Sequence, residues 1–137
     1  MAPDPELVAE TRAWLAKAGR DLAAAAHELK ADPPFSGDAA FHAQQAVEKS
    51  LKAFLTWHSQ PFGKTRNLTA LGRSCAQLEP TLEPTVRPAA RLTEYAWKFR
   101  YPGEPAEPTR METEDALRVA RGVYEAVLKL LPEEVRP

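Results

Sequence analysis

The sequence predicts an all-α fold: an antiparallel four-helix up-and-down bundle with one additional short helix. Three observations carry this expectation. Apolar residues recur at i, i+3, i+4 and i+7 over several long stretches. The 13 prolines cluster between those stretches, where they stop helices and stiffen loops. No segment shows the strict apolar–polar alternation of a half-buried strand. A chain of 137 residues is long enough to bury a self-sufficient core, so the whole of 1–137 is read as one domain.

The first helix is expected from about Pro5 to Lys30. Proline is tolerated in a first turn. Leu15, Ala18, Leu22, Ala25 and Leu29 form a narrow seam of alternating three- and four-residue steps. Ala23–Ala26 favours helix and permits a close neighbour. Asp32-Pro33-Pro34 ends the element, because a residue preceding proline avoids the helical region. A second helix follows, capped by Ser36 or Asp38, and runs to about Ser59, where Pro61 and Gly63 stop it. The short turn between these two helices makes them antiparallel neighbours. Asn67 caps a shorter third helix, about Leu68 to Glu79. A fourth starts near Pro84 and ends in the aromatic run Tyr95, Trp97, Phe99. A polar loop from Tyr101 to about Met111 leads to the last helix, opening at Thr113 or slightly earlier and ended by Pro132. Its apolar line is Ala116, Ala120, Val123, Val127 and Leu130, joined by Leu117, Tyr124, Leu128 and Leu131.

The second helix organises the rest. Ala43, Val47, Ser50, Leu51, Phe54 and His58 fall on one side of a helical wheel. Gln45, Glu48, Lys49, Lys52 and Thr56 fall on the other. Glu48 and Lys52 then read as an i,i+4 pair on a solvated face. Gln44 lies at the edge of the apolar side, where a buried amide needs partners. Phe41 lies among polar residues, where an exposed ring needs a surface to cover it, either another molecule or a lid from the Pro33-Pro34 loop.

Composition excludes some functions. A formal net charge of −1 is not that of a broadly basic nucleic-acid coat, so any nucleic-acid contact is a local patch. One cysteine, Cys75, forms no internal disulfide and fits a reducing cytoplasm. Residues Met1–Glu6 carry no basic region followed by an apolar run, so no secretory leader is expected. No apolar segment approaches the roughly 20 residues that cross a bilayer. His27, His42 and His58 lie apart, without HExxH or Cys/His zinc spacing, so no metal site is expected and the histidines read as structural. No glycine-rich phosphate loop is present, and no cofactor is predicted.

Two segments carry a family resemblance. Gln44-Gln45-Ala46-x-Glu48-Lys49-x-Leu51-Lys52-Ala53 resembles the central helix of the HEPN family (higher eukaryotes and prokaryotes nucleotide-binding domain). Leu92-Thr93-Glu94-Tyr95-Ala96-Trp97-Lys98-Phe99-Arg100-Tyr101-Pro102 resembles that family's helix ending in an Arg-Tyr-Pro segment. Order and spacing agree from Trp14 to about Leu131. The resemblance implies a helical bundle, as the periodicity does. It also implies a homodimer, here through the polar side of the first or second helix, with Phe41 and Trp14 as candidate contacts. A further implied context is pairing with a minimal nucleotidyltransferase in a toxin–antitoxin-like module.

Many members of that family resemble metal-independent ribonucleases with an arginine and a following histidine separated by four to six intervening residues. Here the corresponding arginine is Arg100, and no histidine follows it. Arg20 and His27 have the spacing but lie in the first helix. Where the family often has His-Asp-Leu, this chain has Arg66-Asn67-Leu68. The expected function is therefore binding of a nucleotide or RNA phosphate. The candidate contacts are Gln44, Gln45, Lys49, Lys52, Arg100 and Tyr101, with no catalytic residue assigned. Lysines meet phosphate as point charges, arginine binds it with two hydrogen bonds, and an aromatic ring stacks on a base. Two alternatives stay open. One is an endoribonuclease in which Tyr101 or Glu104 replaces the histidine. The other is a ligand-free dimerisation module whose Arg100 pairs with a carboxylate such as Asp21.

Overall fold

The computed structural model describes residues 2–103 and 106–137; Glu104, named above as a possible replacement for the histidine, lies outside them. The described residues form helices α1 (Pro5–Lys30), α2 (Ser36–Trp57), α3 (Leu68–Leu78), α4 (Glu83–Ala89) and α5 (Arg110–Leu130), with 3₁₀ turns at Pro80–Leu82, Ala90–Ala96 and Glu133–Val135. The all-α bundle expected from the periodicity is what the chain forms, and no strand occurs among the described residues.

The α1–α2 hairpin is its backbone. The α1 seam of Leu15, Ala18, Leu22, Ala25 and Leu29 is buried throughout. Asp4 caps α1 by accepting from the Glu6 N–H at 2.9 Å. The turn closes when the Phe35 N–H donates to the Glu28 carbonyl. Phe35, rather than the expected Ser36 or Asp38, is the cap residue of α2, and it supplies no side-chain cap bond. Gly37 in the first turn is buried: a Cβ there would collide with the Glu107 carboxylate and come within 3.0 Å of the Phe99 Cβ. The absent side chain lets the segment ahead of α5 lie on the start of α2.

Helix α2 touches α1, α3, α5 and the 3₁₀ turn at 90–96. A helix surrounded in this way has no fully solvated face. Glu48, Lys52 and Thr56 are therefore buried, against the solvated polar side expected from the wheel. On the same side Gln45 and Lys49 stay half-buried. His58 departs in the other direction. It is the C-cap after the helix has ended and is exposed, although its ring lies 4.5 Å from that of Phe54.

Asn67 caps α3 as expected, accepting from Thr69 and Ala70. The fourth helix is shorter than its pattern suggests. Pro88 lacks an N–H and crowds the preceding turn, and the α-helix gives way after Ala89 to the tighter turn at Ala90–Ala96. Helix α5 begins at Arg110, slightly ahead of Thr113 as expected, because Thr109 and Glu112 form a reciprocal capping box with bonds of 3.1 and 3.2 Å. Ala116, Leu117, Ala120, Val123 and Val127 fill the core, while Leu130 turns outward and Leu131 is buried in its place. No described helix is long and apolar enough to cross a membrane.

Candidate functional site

The six candidate ligand contacts do not converge on one point. They divide between two ends of α2. Phe41 and Lys52 are about 16 Å apart along the axis at 1.5 Å per residue.

Between those ends lies a polar chain. Gln44 is fully buried. Its Oε1 accepts from Gln45 Nε2 at 2.7 Å, and its Nε2 donates to Glu48 Oε1 at 3.2 Å. Gln45 Nε2 is 3.5 Å from the same Glu48 oxygen. The other carboxylate oxygen of Glu48 accepts from Lys52 Nζ at 3.1 Å. Gln44 thus finds its amide partners in its own helix. Lys49 is engaged elsewhere, donating to Asp21 Oδ2 of α1 at 2.7 Å.

At the C-terminal end, Lys52 Nζ lies 5.6 Å from the Trp14 ring centroid and 5.4 Å from that of Phe62. The two rings meet edge to face at 6.0 Å. Trp14, a candidate dimer contact, is here a half-buried wall over Lys52 within its own chain. Lys64 and Arg66 join these residues around a cleft of about 390 Å³.

At the N-terminal end, the Arg100 guanidinium carbon sits 4.2 Å over the Phe41 ring. The lid on Phe41 is therefore a cation from the segment after Trp97, not the Pro33-Pro34 loop, and the geometry is that of a cation–π contact. Asp21, the carboxylate considered for Arg100, belongs instead to Lys49. The His42 ring adjoins Phe41 at 5.4 Å, and its Nδ1 is 2.7 Å from Glu28 Oε1 of α1. Trp97 and Tyr101 are 60% and 74% exposed. Tyr95, in the turn before them, has its pKa raised, first by burial and then by the charge of Glu112. Arg20 and His27, which have the ribonuclease spacing by chance of position, both face outward on α1.

Sequence reasoning missed the Phe62–Arg66 loop as a lining and the Glu28–His42 bridge. A loop holding an aromatic residue between two turn-formers, followed by two cations, was the available signal for the first. The second joins two helices, and nothing local marks it. Among the described residues no group of three His, Cys, Asp or Glu side chains is arranged to hold a metal ion.

The layered helices define an all-α bundle, which the comparisons make specific. Residues 11–131 match the HEPN domain family. The crystal structure of TT1696 from Thermus thermophilus is similar at 31% identity with a TM-score of 0.72, covering 88% of this chain and 98% of that one. No curated protein matches. The chain belongs to the HEPN family.

Proposed function

We propose that this HEPN protein acts by binding, taking a nucleotide or RNA phosphate at the Arg100 end of α2 and a protein partner beside it. The context we propose is the HEPN half of a nucleotidyltransferase-linked, toxin–antitoxin-like pair, with the HEPN chain itself a homodimer. One observation carries the ligand reading. The exposed guanidinium of Arg100 is held over Phe41 without an ion-pair partner among the described residues, and exposed Trp97 and Tyr101 share its short segment. A positioned arginine with adjacent rings suits a phosphate and its base. The dimer reading draws on the outward face of α1, where Arg20 and His27 lie exposed, and on half-buried Gln45 and Lys49 of α2.

Fluorescence anisotropy with a labelled single-stranded RNA tests this. Arg100→Ala is expected to weaken binding about tenfold, the loss of one charge-assisted contact of roughly 1.5 kcal/mol. Equal affinity of parent and variant refutes the assignment of Arg100. No binding by either supports the ligand-free scaffold. Co-purification with the product of a neighbouring nucleotidyltransferase frame tests the partner half.

The ribonuclease reading gains one specific observation. His42 is held by Glu28 through Nδ1, which leaves Nε2 for proton transfer, and it adjoins the ring under Arg100. RNA cleavage in EDTA, lost in both His42→Asn and Arg100→Ala, would establish it. Binding without cleavage by the parent would exclude it.

A further inference from the structure

We propose that the cleft between α1 and the α2–α3 loop is a second anion site, built for a small phosphomonoester and separate from the Arg100 end. Its walls are Trp14 and Phe62, its floor is Glu48 and Lys52, and its rim carries Lys64 and Arg66.

The floor carries the first argument. Lys52 is more than nine-tenths buried, and its ammonium has three N–H donors. One reaches Glu48 at 3.1 Å; no other hydrogen-bond acceptor engages it among the described residues, and the ring faces of Trp14 and Phe62 lie beyond. A buried cation with spare donors in an open cleft is ready to receive an oxygen anion.

Charge gives the class of ligand. Glu48 neutralises Lys52, and its remaining oxygen is taken by Gln44 and Gln45. Lys64 and Arg66 have no ion-pair or hydrogen-bond partner among the described residues, so the cleft keeps the charge of two cations. A phosphomonoester carries close to two negative charges at neutral pH. A phosphodiester or carboxylate carries one. The volume of about 390 Å³ falls in the range of small-ligand sites and has room for a group larger than phosphate alone, with the two rings as its apolar wall.

The loop is held in place without using the cations. The Gln60 N–H donates to the Leu55 carbonyl at 2.8 Å, and Thr65 Oγ1 accepts from the Asn67 N–H at 3.0 Å. The nearby start of α3 does not compete for the anion. Its Leu68, Thr69 and Ala70 N–H groups already donate to Thr93 and Asn67.

Isothermal titration calorimetry on the full chain with adenosine 5′-monophosphate, ribose 5-phosphate, inorganic phosphate and adenosine tests the site. Saturable binding of the phosphates is expected, tightest where a ring accompanies the phosphate, with none for adenosine. The double variant Lys64→Ala/Arg66→Ala changes only exposed side chains, so it should fold as the parent does by circular dichroism. Its affinity should fall at least tenfold, while Arg121→Ala on the outer face of α5 controls for the loss of a charge and should bind as the parent does. Tighter binding by ribose 5-phosphate than by the nucleotide would assign the site to a sugar phosphate rather than a nucleotide, within the same class. No heat with any phosphomonoester, or equal affinity in the folded double variant, overturns the proposal. Arg100→Ala should bind adenosine 5′-monophosphate and ribose 5-phosphate as the parent does; a loss confined to that variant would place the heat at the Arg100 end and overturn the cleft assignment, whereas a loss confined to Lys64→Ala/Arg66→Ala leaves the RNA reading standing.

Discussion

The Glu48–Lys52 pair offers the sharpest test of the physical reasoning. Both side chains are 8% exposed, and at 3.1 Å with an effective dielectric near 20 their gross attraction is about 5 kcal/mol. Removing both charges from water costs several kcal/mol per ion, so most of that attraction is spent in burial. Lys52→Met leaves the carboxylate in place with only the Gln44 and Gln45 amides to hold it, at 3.2 and 3.5 Å. We expect a loss of about 3 kcal/mol, the lower end of the range for a broken buried pair. Glu48→Gln/Lys52→Met removes both charges and keeps a carbonyl for Gln44. Helix propensity changes little, because all four residues are good helix formers. The double variant should therefore lie within about 1 kcal/mol of the parent and well above Lys52→Met alone. Urea unfolding followed by far-ultraviolet circular dichroism measures all three, at a constant denaturant slope. A domain of this size has about 5–15 kcal/mol in total, so the single variant should shift the midpoint visibly. A Lys52→Met loss below about 1 kcal/mol, or a double variant no more stable than the single, would show that the pair is effectively solvated.

Three further outcomes follow from the packing. Thr109→Ala removes the α5 capping box and should cost about 1 kcal/mol, seen as a lower melting temperature, while Glu112 remains as a dipole partner. Thr11 is fully buried with no hydrogen-bond partner for Oγ1, so Thr11→Val should raise stability by about 1 kcal/mol in the same melt. Burial pushes the Cys75 thiol up to about 12 from its ordinary 9.0. The folded state therefore keeps its proton where the unfolded chain loses it, and stability from this group is complete below pH 9 and declines from there toward pH 12. Urea midpoints at about pH 8 and about pH 10.5 should differ less in Cys75→Ala than in the parent, and the native thiol should resist a disulfide reagent until the chain unfolds.

The bundle was legible because helix signals are local. Pro5 and Lys30 bound α1 where expected, and Asn67 caps α3, since a seam, a capping residue and a proline are read within a few positions. The α5 start lies three residues ahead of Thr113, where Thr109-Arg110-Met111-Glu112 spells the capping box that sets it. The fate of the α2 polar side was not legible. A wheel separates apolar from polar residues but does not say how many neighbours a helix has. With Trp14 of α1 on one flank and the Phe62–Arg66 loop on another, Glu48 and Lys52 are buried together, each compensating the other's charge. The candidate site divided for a related reason. Gln44, Lys49, Lys52 and Arg100 look like one set in the sequence, yet Asp21, Trp14 and Phe41 claim three of them separately.

The two side-chain bridges across the α1–α2 hairpin have a geometric consequence. His42 and Glu28 are 14 residues apart in the chain, and Lys49 and Asp21 are 28 apart. Both pairs are therefore centred on Phe35, and successive partners advance by one heptad on each helix. The hairpin carries its own ruler, with Phe35 as the zero mark. Inserting or deleting one residue within α2 between Phe35 and His42 would rotate His42 and Lys49 by about 100° relative to the start of the helix, parting both pairs at once. Removing a whole heptad from one helix alone would bring a wrong pair together and strand the rest. Homologous chains that keep this fold should thus hold the seven-residue spacing of the partners on each helix.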